Sequence, residues 1–373
     1  MPTLQSKSYT FDPRPHFPLL VSVKRYWVPG FESTDPSAPT LVLTHGISFH
    51  KEQWEPVLED LYDIISATPH SIGGKVGIRD AWAIEAPTHG ESAVLNEDFL
   101  HTQAGLTVSS FTTYKKAIHL VLSGQGKGVD VDFRTRNLVA VGHSMGCIAL
   151  IMSKTLVPPI PWRSAIFLEP VIIHPTLDLN AVSSFVFAAK KRRVVWPSRD
   201  VARKALLKAF KNWDPRVVDV YVKHGLRELP TSEFPDKTEG VTVKCPRAVE
   251  IEAYSDHDER LKGPLHLASF CAAIPTHVIF GALEDHVPAR NRHFIANEVA
   301  DGKFKTISVV DAAGHLVSAF SLIFLIIIAK VFIVEPVANF SLPDGKNWEP
   351  SIDPQYWGTR GPRDQLQIFM NKS

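Results

Sequence analysis

The run Asn137-Leu-Val-Ala-Val-Gly-His-Ser-Met-Gly146 constrains this chain more than any other stretch of it. Leu138, Val139, Ala140 and Val141 are apolar without alternation, the pattern of a strand buried on both faces. Gly142 and Gly146 bracket Ser144 in the spacing G-x-S-x-G, and Cys147-Ile-Ala-Leu-Ile-Met152 continues as a helix. A backbone that turns sharply from strand into helix leaves no room for a Cβ two residues either side of its tip, which accounts for both glycines. The tip residue, Ser144, then stands clear of the sheet edge. Beside it the first turn of the helix offers unsatisfied N–H groups to a developing anion. A hydroxyl in that position is placed to act as a nucleophile.

This strand, turn and helix resemble the nucleophile elbow of the α/β-hydrolase family. The resemblance implies an α/β fold: a mostly parallel eight-strand sheet with helices on both faces and an inserted helical lid. The rest of the chain can be read in that order. Ser8-Tyr-Thr-Phe11 and Leu20 to Val28 alternate as antiparallel edge strands, separated by Pro13, Pro15 and Pro18. Thr40-Leu-Val-Leu-Thr44 is a buried strand that runs into His45-Gly46-Ile47. In the family this turn supplies an oxyanion donor, so the backbone N–H groups of Ile47 and Met145 are the candidate pair. Glu52 to Ser66 carries Trp54, Leu58, Leu61, Ile64 and Ile65 at helical spacing, and Asp80 to Pro87 is a further buried strand. It ends in Thr88-His-Gly-Glu-Ser92, a loop of the kind that rims such sites, although a turn histidine such as His89 equally often caps local backbone. Thr107 to Gly124 is the helix before the elbow strand.

Beyond the elbow, Arg163 to Leu168 is the next strand, with Glu169 where it stops. From there to about residue 273, helical stretches such as Asp200 to Asn212 and Val217 to His224 follow one another with no buried strand between them. Thr276 to Gly281 restores the strand pattern and leads into Ala282-Leu-Glu-Asp-His-Val-Pro288. Lys305 to Val310 is the last strand, followed by Asp311-Ala-Ala-Gly-His315. The expected division is a hydrolase core over 1–170 and 274–334, a helical lid over 171–273 and an irregular tail over 335–373.

The chemistry requires a base for Ser144 and a carboxylate that holds the base in the right tautomer. His315, just past the last strand, is the candidate base, and the order serine before histidine is that of the hydrolases. Two acids are open. Asp285 follows the strand before the histidine strand, the position most members of the fold use, and Glu169 follows the strand after the elbow. Gly-His-Ser-Met-Gly, Leu168-Glu169-Pro170 and Val222-Lys-His-Gly-Leu-Arg-Glu-Leu-Pro230 together resemble the fungal secondary-metabolite hydrolases. That group includes toxin-biosynthesis hydrolases and the acyl-CoA hydrolase of mycophenolic acid formation, and it places its acid, usually Asp, after the strand that follows the elbow. The likeness spans most of residues 20–315 and favours Glu169.

Charge directs the chain to no polyanion: 40 basic and 39 acidic residues leave a net charge of +1, so no nucleic-acid partner is expected. Cys147, Cys245 and Cys271 are too few and too scattered for a disulfide framework or a zinc site. No metal and no cofactor are expected. Met1 to Thr10 lacks the apolar core of a secretory signal, which suits an intracellular protein, cytoplasmic or peroxisomal; a Ser-Lys-Leu-type ending is absent, since the sequence closes on Asn371-Lys-Ser373. Lys190-Lys-Arg-Arg193 reads as a solvated helix end, with a nuclear signal or a grip on coenzyme A phosphates as the alternatives. Asp256-His257-Asp258 lacks further ligands at metal spacing. Asn339-Phe-Ser341 is a glycosylation sequon that matters only in a lumenal tail. Leu316 to Val334 is apolar nearly all round and close to bilayer-spanning length, which leaves packing against the sheet, membrane association and a wrongly spliced gene as readings.

The function expected is hydrolysis of carboxylic esters or thioesters through an acyl-Ser144 intermediate, with a small-molecule acyl substrate, an acyl-CoA or a secondary-metabolite ester. Lactone or carbon–carbon hydrolysis on the same fold is one alternative. A catalytically silent, membrane-associated binding protein is the other.

Overall fold

The structure, a computed structural model, describes residues 3–33, 35, 37–67, 77–102, 108–172, 179–211, 213–284, 289–310 and 313–315. Asp285, the run 316–334 and the sequon at 339–341 lie outside them.

Eight strands form one sheet in the order β1-β2-β4-β3-β5-β6-β10-β11. They are β1 (Gln5–Phe11), β2 (Val21–Trp27), β3 (Pro39–Thr44), β4 (Asp80–Ile84), β5 (Asn137–His143), β6 (Trp162–Leu168), β10 (Thr276–Gly281) and β11 (Thr306–Val310). The β1/β2 and β2/β4 pairs are antiparallel, and every pair from β4 to β11 is parallel. The sheet is thus mostly parallel, with its antiparallel strands at one edge.

The two-residue period of a strand divides the apolar run of β5 between two layers. Leu138 and Ala140 belong to one buried cluster, Val139 and Val141 to another. Neighbouring strands divide the same way: Ala165 and Phe167 face the first layer, Ile166 and Leu168 the second. This is why these strands are apolar at every position. The first layer is closed by α3 (Ser110–Ser123), by the elbow helix α4 (Met145–Ser153) and by α9 (His257–Ala273); the second is closed by α1 (Glu55–Ala67), which brings Leu58 and Leu61 to the sheet, and by Trp54 in the turn before it. A short α2 (Gly90–Leu95) lies between α1 and α3. Helix α3 begins at Ser109, whose hydroxyl accepts from Thr112 N–H, and stops at Gly124 with φ 71°.

The segment between β6 and β10 contains α5 (Leu179–Lys191), α6 (Arg199–Ala209), α7 (Pro215–Val220) and α8 (Arg247–Ser255). It also holds a small antiparallel sheet in the order β7-β9-β8, built from Val195–Trp196, Val241–Val243 and Leu226–Glu228. The expectation of helices with no buried strand between them is corrected here: β9 is buried at all three positions and anchors a cluster of Val194, Trp196, Val218, Val222 and Leu226. Strands of two or three residues are too short for an alternation to be counted in sequence. Helix α9 departs from the rest of the segment. Leu267 and Phe270 are wholly buried in the main core, each worth about 1.5–3 kcal/mol. A Cβ on Gly263 would come 3.0 Å from Ile148 of the elbow helix, so α9 lies directly on α4.

Candidate active site

Adjacent parallel strands β5 and β6 end level with one another, His143 opposite Leu168. The residue after each is the one that matters. Ser144 and Glu169 have φ of 53° and 47°, left-handed values that a residue with a Cβ adopts only when its surroundings hold it there. Ser144 N–H donates to Leu168 O at 3.0 Å, and Glu169 N–H donates to Ile279 O of β10 at 2.9 Å. The glycines of the elbow have the steric cause their spacing implies. A Cβ on Gly146 would lie 2.6 Å from the carbonyl oxygen of Thr44, and one on Gly142 would lie 2.9 Å from the nitrogen of Cys147.

The structure brings Ser144, His315 and Glu169 into one hydrogen-bonded chain. His315 Nε2 is 3.0 Å from Ser144 Oγ, and His315 Nδ1 is 3.1 Å from Glu169 Oε2. A carboxylate only accepts, so Nδ1 carries the proton and Nε2 is left to accept from the serine hydroxyl. The other carboxylate oxygen, Oε1, accepts from Gly281 N–H at 2.6 Å. His143 Nε2 lies 2.9 Å from the main-chain oxygen of His315, bracing the histidine from behind. All three side chains are buried, Ser144 the least at 5% exposure. Gly281 and His143 were not evident from sequence as parts of the site; the signal each offers is its place, His143 directly before Ser144 and Gly281 at the end of β10. Asp285, the alternative acid, is outside the described residues.

The segments that carry the candidate oxyanion donors lie close together. Met145 is the first residue of α4, where no preceding turn of helix satisfies its N–H. Gly46, one residue before Ile47, passes so close to the elbow that a Cβ there would lie 3.1 Å from Ser144 Cβ. That loop is fixed from below. Tyr114 OH accepts from His45 N–H at 2.9 Å and donates to Ile84 O at 2.8 Å. His45 Nε2 accepts from Ala86 N–H at 3.1 Å, which leaves its Nδ1–H to donate to Gly46 O at 2.8 Å. Burial, with His89 close by, drives the pKa of His45 well below the ordinary value and keeps the ring neutral in that tautomer. His89 itself is interior, its ring 5.5 Å from that of His45 and its pKa pushed down by burial to about 3. The thiol of Cys147, which also follows the elbow, is pushed well above its usual pKa by burial, so it offers no competing thiolate.

Two sequence clusters resolve into structural roles. Lys190 to Arg193 does not act as one group: Arg192 pairs with the buried Glu250 at 2.6 Å, and Arg193 Nε donates to Val195 O at 2.8 Å. Asp256 caps α9, accepting from Glu259 N–H at 3.0 Å and from Ser109 Oγ. Among the described residues no group of His, Cys, Asp and Glu is arranged to hold a metal ion, and no helix is long and apolar enough to cross a membrane.

Residues 41–321 match the alpha/beta hydrolase family. The chain belongs to that family. It is 30% identical over 222 residues to the type I acyl-CoA thioesterase mpaH' of Penicillium brevicompactum, a match covering 58% of this chain and 47% of that protein. It is 37% identical over 90 residues to the abhydrolase domain-containing protein ACTT2-1 of Alternaria alternata, covering 24% of this chain and 33% of that one. The matched stretch thus spans half or less of either relative's length. Among solved structures, the peroxisomal alpha-beta-hydrolase Lpx1 of Saccharomyces cerevisiae superposes with a TM-score of 0.62 at 17% identity, covering 90% of this chain and 91% of that one. At that identity the likeness speaks for the fold. The fungal secondary-metabolism resemblance read from the motifs agrees with these relatives.

Proposed function

We propose that this hydrolase cleaves carboxylic esters or thioesters through an acyl-Ser144 intermediate, with acyl-CoA thioesters as the preferred substrate class. The observation that carries the reading is the chain Ser144 Oγ to His315 Nε2 to Glu169 Oε2, at 3.0 and 3.1 Å. Ser144 attacks the acyl carbonyl as His315 takes its proton. The tetrahedral oxyanion is met by the N–H groups of Ile47 and Met145, aimed at the place where charge develops. Collapse expels the alcohol or thiol, which His315 protonates. Water activated by the same imidazole then releases the acid and restores Ser144. Glu169 holds the imidazole in its tautomer and stabilises its charged form. Its longer side chain suits this role because Gly281 N–H takes the second oxygen and leaves Oε2 for the histidine.

The preference for acyl-CoA draws on the relative named as an acyl-CoA thioesterase. We further place the lid at residues 171–256, since α9 packs with the core, and the enzyme in a reducing intracellular compartment, which suits three free and buried cysteines. The test is fluorophosphonate labelling followed by turnover of aryl esters and acyl-CoAs of graded chain length. A labelled serine and faster acyl-CoA cleavage than aryl-ester cleavage are expected. Failure to label overturns the nucleophile, and equal or slower acyl-CoA turnover overturns the substrate class.

A further inference from the structure

Ser48 follows Ile47 directly, and its φ of 70° lies in the left-handed region that a residue with a Cβ rarely occupies. What holds it comes from the segment inserted after β6. Ser48 Oγ donates to Glu250 Oε1, a carboxylate on α8 that is 1% exposed. The second oxygen of Glu250 accepts from Arg192 Nη2 at 2.6 Å, just past the end of α5. Arg247 Nη2 in turn donates to the main-chain oxygen of Arg192 at 2.7 Å, tying the end of α5 to the start of α8. Phe49, the next residue of the same loop, packs against Trp213 and Tyr221 of the insertion, with ring centroids 5.8 and 6.2 Å apart.

A carboxylate buried against a half-buried arginine is an expensive way to gain stability, because desolvation cancels much of the attraction. Its place, one residue from a donor N–H, gives it a different use. Donors stabilise an oxyanion only if they are aimed before the charge forms, and a misplacement of about 1 Å can cost about 10²-fold in rate. We propose that Glu250, paired with Arg192, is a positioning residue for the oxyanion site: it fixes Ser48, and through the chain the Ile47 N–H, so that the site is complete only while α5 and α8 are docked. The proposal rests on the reading of Ser144 and Ile47 given above.

Ser48→Ala removes the hydroxyl link and leaves the Arg192–Glu250 pair intact, and Glu250→Gln removes the charge. Each is compared with the unaltered enzyme for kcat and KM on an aryl ester, for inhibition by a trifluoromethyl ketone that forms a tetrahedral adduct, and for Tm. Ser48→Ala is expected to lower kcat by about 10- to 100-fold with KM nearly unchanged, short of the about 10²–10³-fold cost of deleting a donor. The ketone should weaken by the same factor. Glu250→Gln should act in the same direction, and the double variant should lose little more than the worse single one. If Glu250→Gln fails to fold with Arg192 left unbalanced, Ser48→Ala decides alone. An unchanged kcat in Ser48→Ala, a loss matched by the fraction unfolded, or multiplicative effects in the double variant would overturn the positioning role. Those outcomes leave Ser144 in place, whereas turnover that survives Ser144→Ala removes the reading of the site and this proposal with it.

Discussion

At the carboxyl ends of β5 and β6, Ser144 and Glu169 are held by main-chain hydrogen bonds to the next strand, whereas α5 and α8 of the insertion are joined by side-chain charge, the Arg192–Glu250 pair. The first arrangement does not titrate and does not depend on a distant helix staying docked. It lets the sheet impose left-handed backbone on two adjacent strand ends, at Ser144 and Glu169. The second depends on α5 and α8 staying docked against one another. The two regions thus differ in what holds them: main-chain bonds at the strand ends, side-chain charge within the insertion.

The largest effect tests the rigid side. Ser144→Ala removes the hydroxyl and keeps the elbow, so turnover of an aryl ester should fall on the order of 10⁴-fold or more and fluorophosphonate labelling should vanish. Circular dichroism and Tm should stay near those of the parent. Labelling that persists in the variant would assign the nucleophile elsewhere.

Next in size is the acid. Glu169→Gln keeps the shape but presents an amide where the carboxylate fixed the tautomer of His315, and the analogous change in a serine protease costs about 10⁴-fold in kcat. A drop of roughly 10²–10⁴-fold is expected here. Asp285→Asn, assayed on the same ester at the same pH, should cost far less. The reverse ranking would transfer the role to Asp285 and separate the two strand ends that the comparison treats as partners.

These two variants also mark how much could be read in advance. The elbow was legible because its evidence is local: an apolar strand, two glycines with a steric reason and a helix, all within one short run. The end of β6 was legible as an end, which named Glu169, yet the choice between Glu169 and Asp285 stayed open. That choice depends on where the His315 ring points and on Gly281 N–H taking one carboxylate oxygen, contacts made across 146 and 112 residues of chain. The link from Ser48 to Glu250 spans 202 residues and has no local signature at all. The small β7-β9-β8 sheet escaped for a different reason, since two- and three-residue strands carry too few positions for a period.

A stability measurement sharpens the contrast in stiffness. In Gly146→Ala the new methyl meets the main-chain oxygen of Thr44 at 2.6 Å, and backbone on the neighbouring strand cannot step aside without moving the elbow helix. In Gly225→Ala, within the insertion, the nearest atoms are side-chain atoms of His50 and Tyr221 at 3.2 to 3.3 Å, which can shift. Urea unfolding should show Gly146→Ala destabilised by about 1–3 kcal/mol, as for other overpacked cores. Gly225→Ala should lose less. Equal losses would mean the two regions are equally rigid.

The smallest effect tests whether charge makes the insertion's docking depend on pH. Glu252 on α8 accepts from Ser110 of α3 at 3.3 and 3.4 Å, a contact between insertion and core, and burial followed by the neighbouring Asp256 raises its pKa to about 7. The folded pKa lies above the value of 4.5 for a free glutamate, so the folded protein holds this proton more tightly than the unfolded chain does. Its contribution to stability is therefore fully present below pH 4.5 and is lost as the pH rises through about 7. Glu252→Gln fixes the neutral form and keeps an oxygen that accepts from Ser110. Its Tm should match the parent at low pH and exceed it by a margin that grows between pH 4.5 and 7 and then levels off. Over the same interval the α8 amides of the variant should exchange more slowly than those of the parent at the same pH, placing the effect at the insertion rather than in the sheet. A Tm difference that stays constant with pH would show that Glu252 does not titrate there, and would leave the insertion as insensitive to protons as the strand ends it covers.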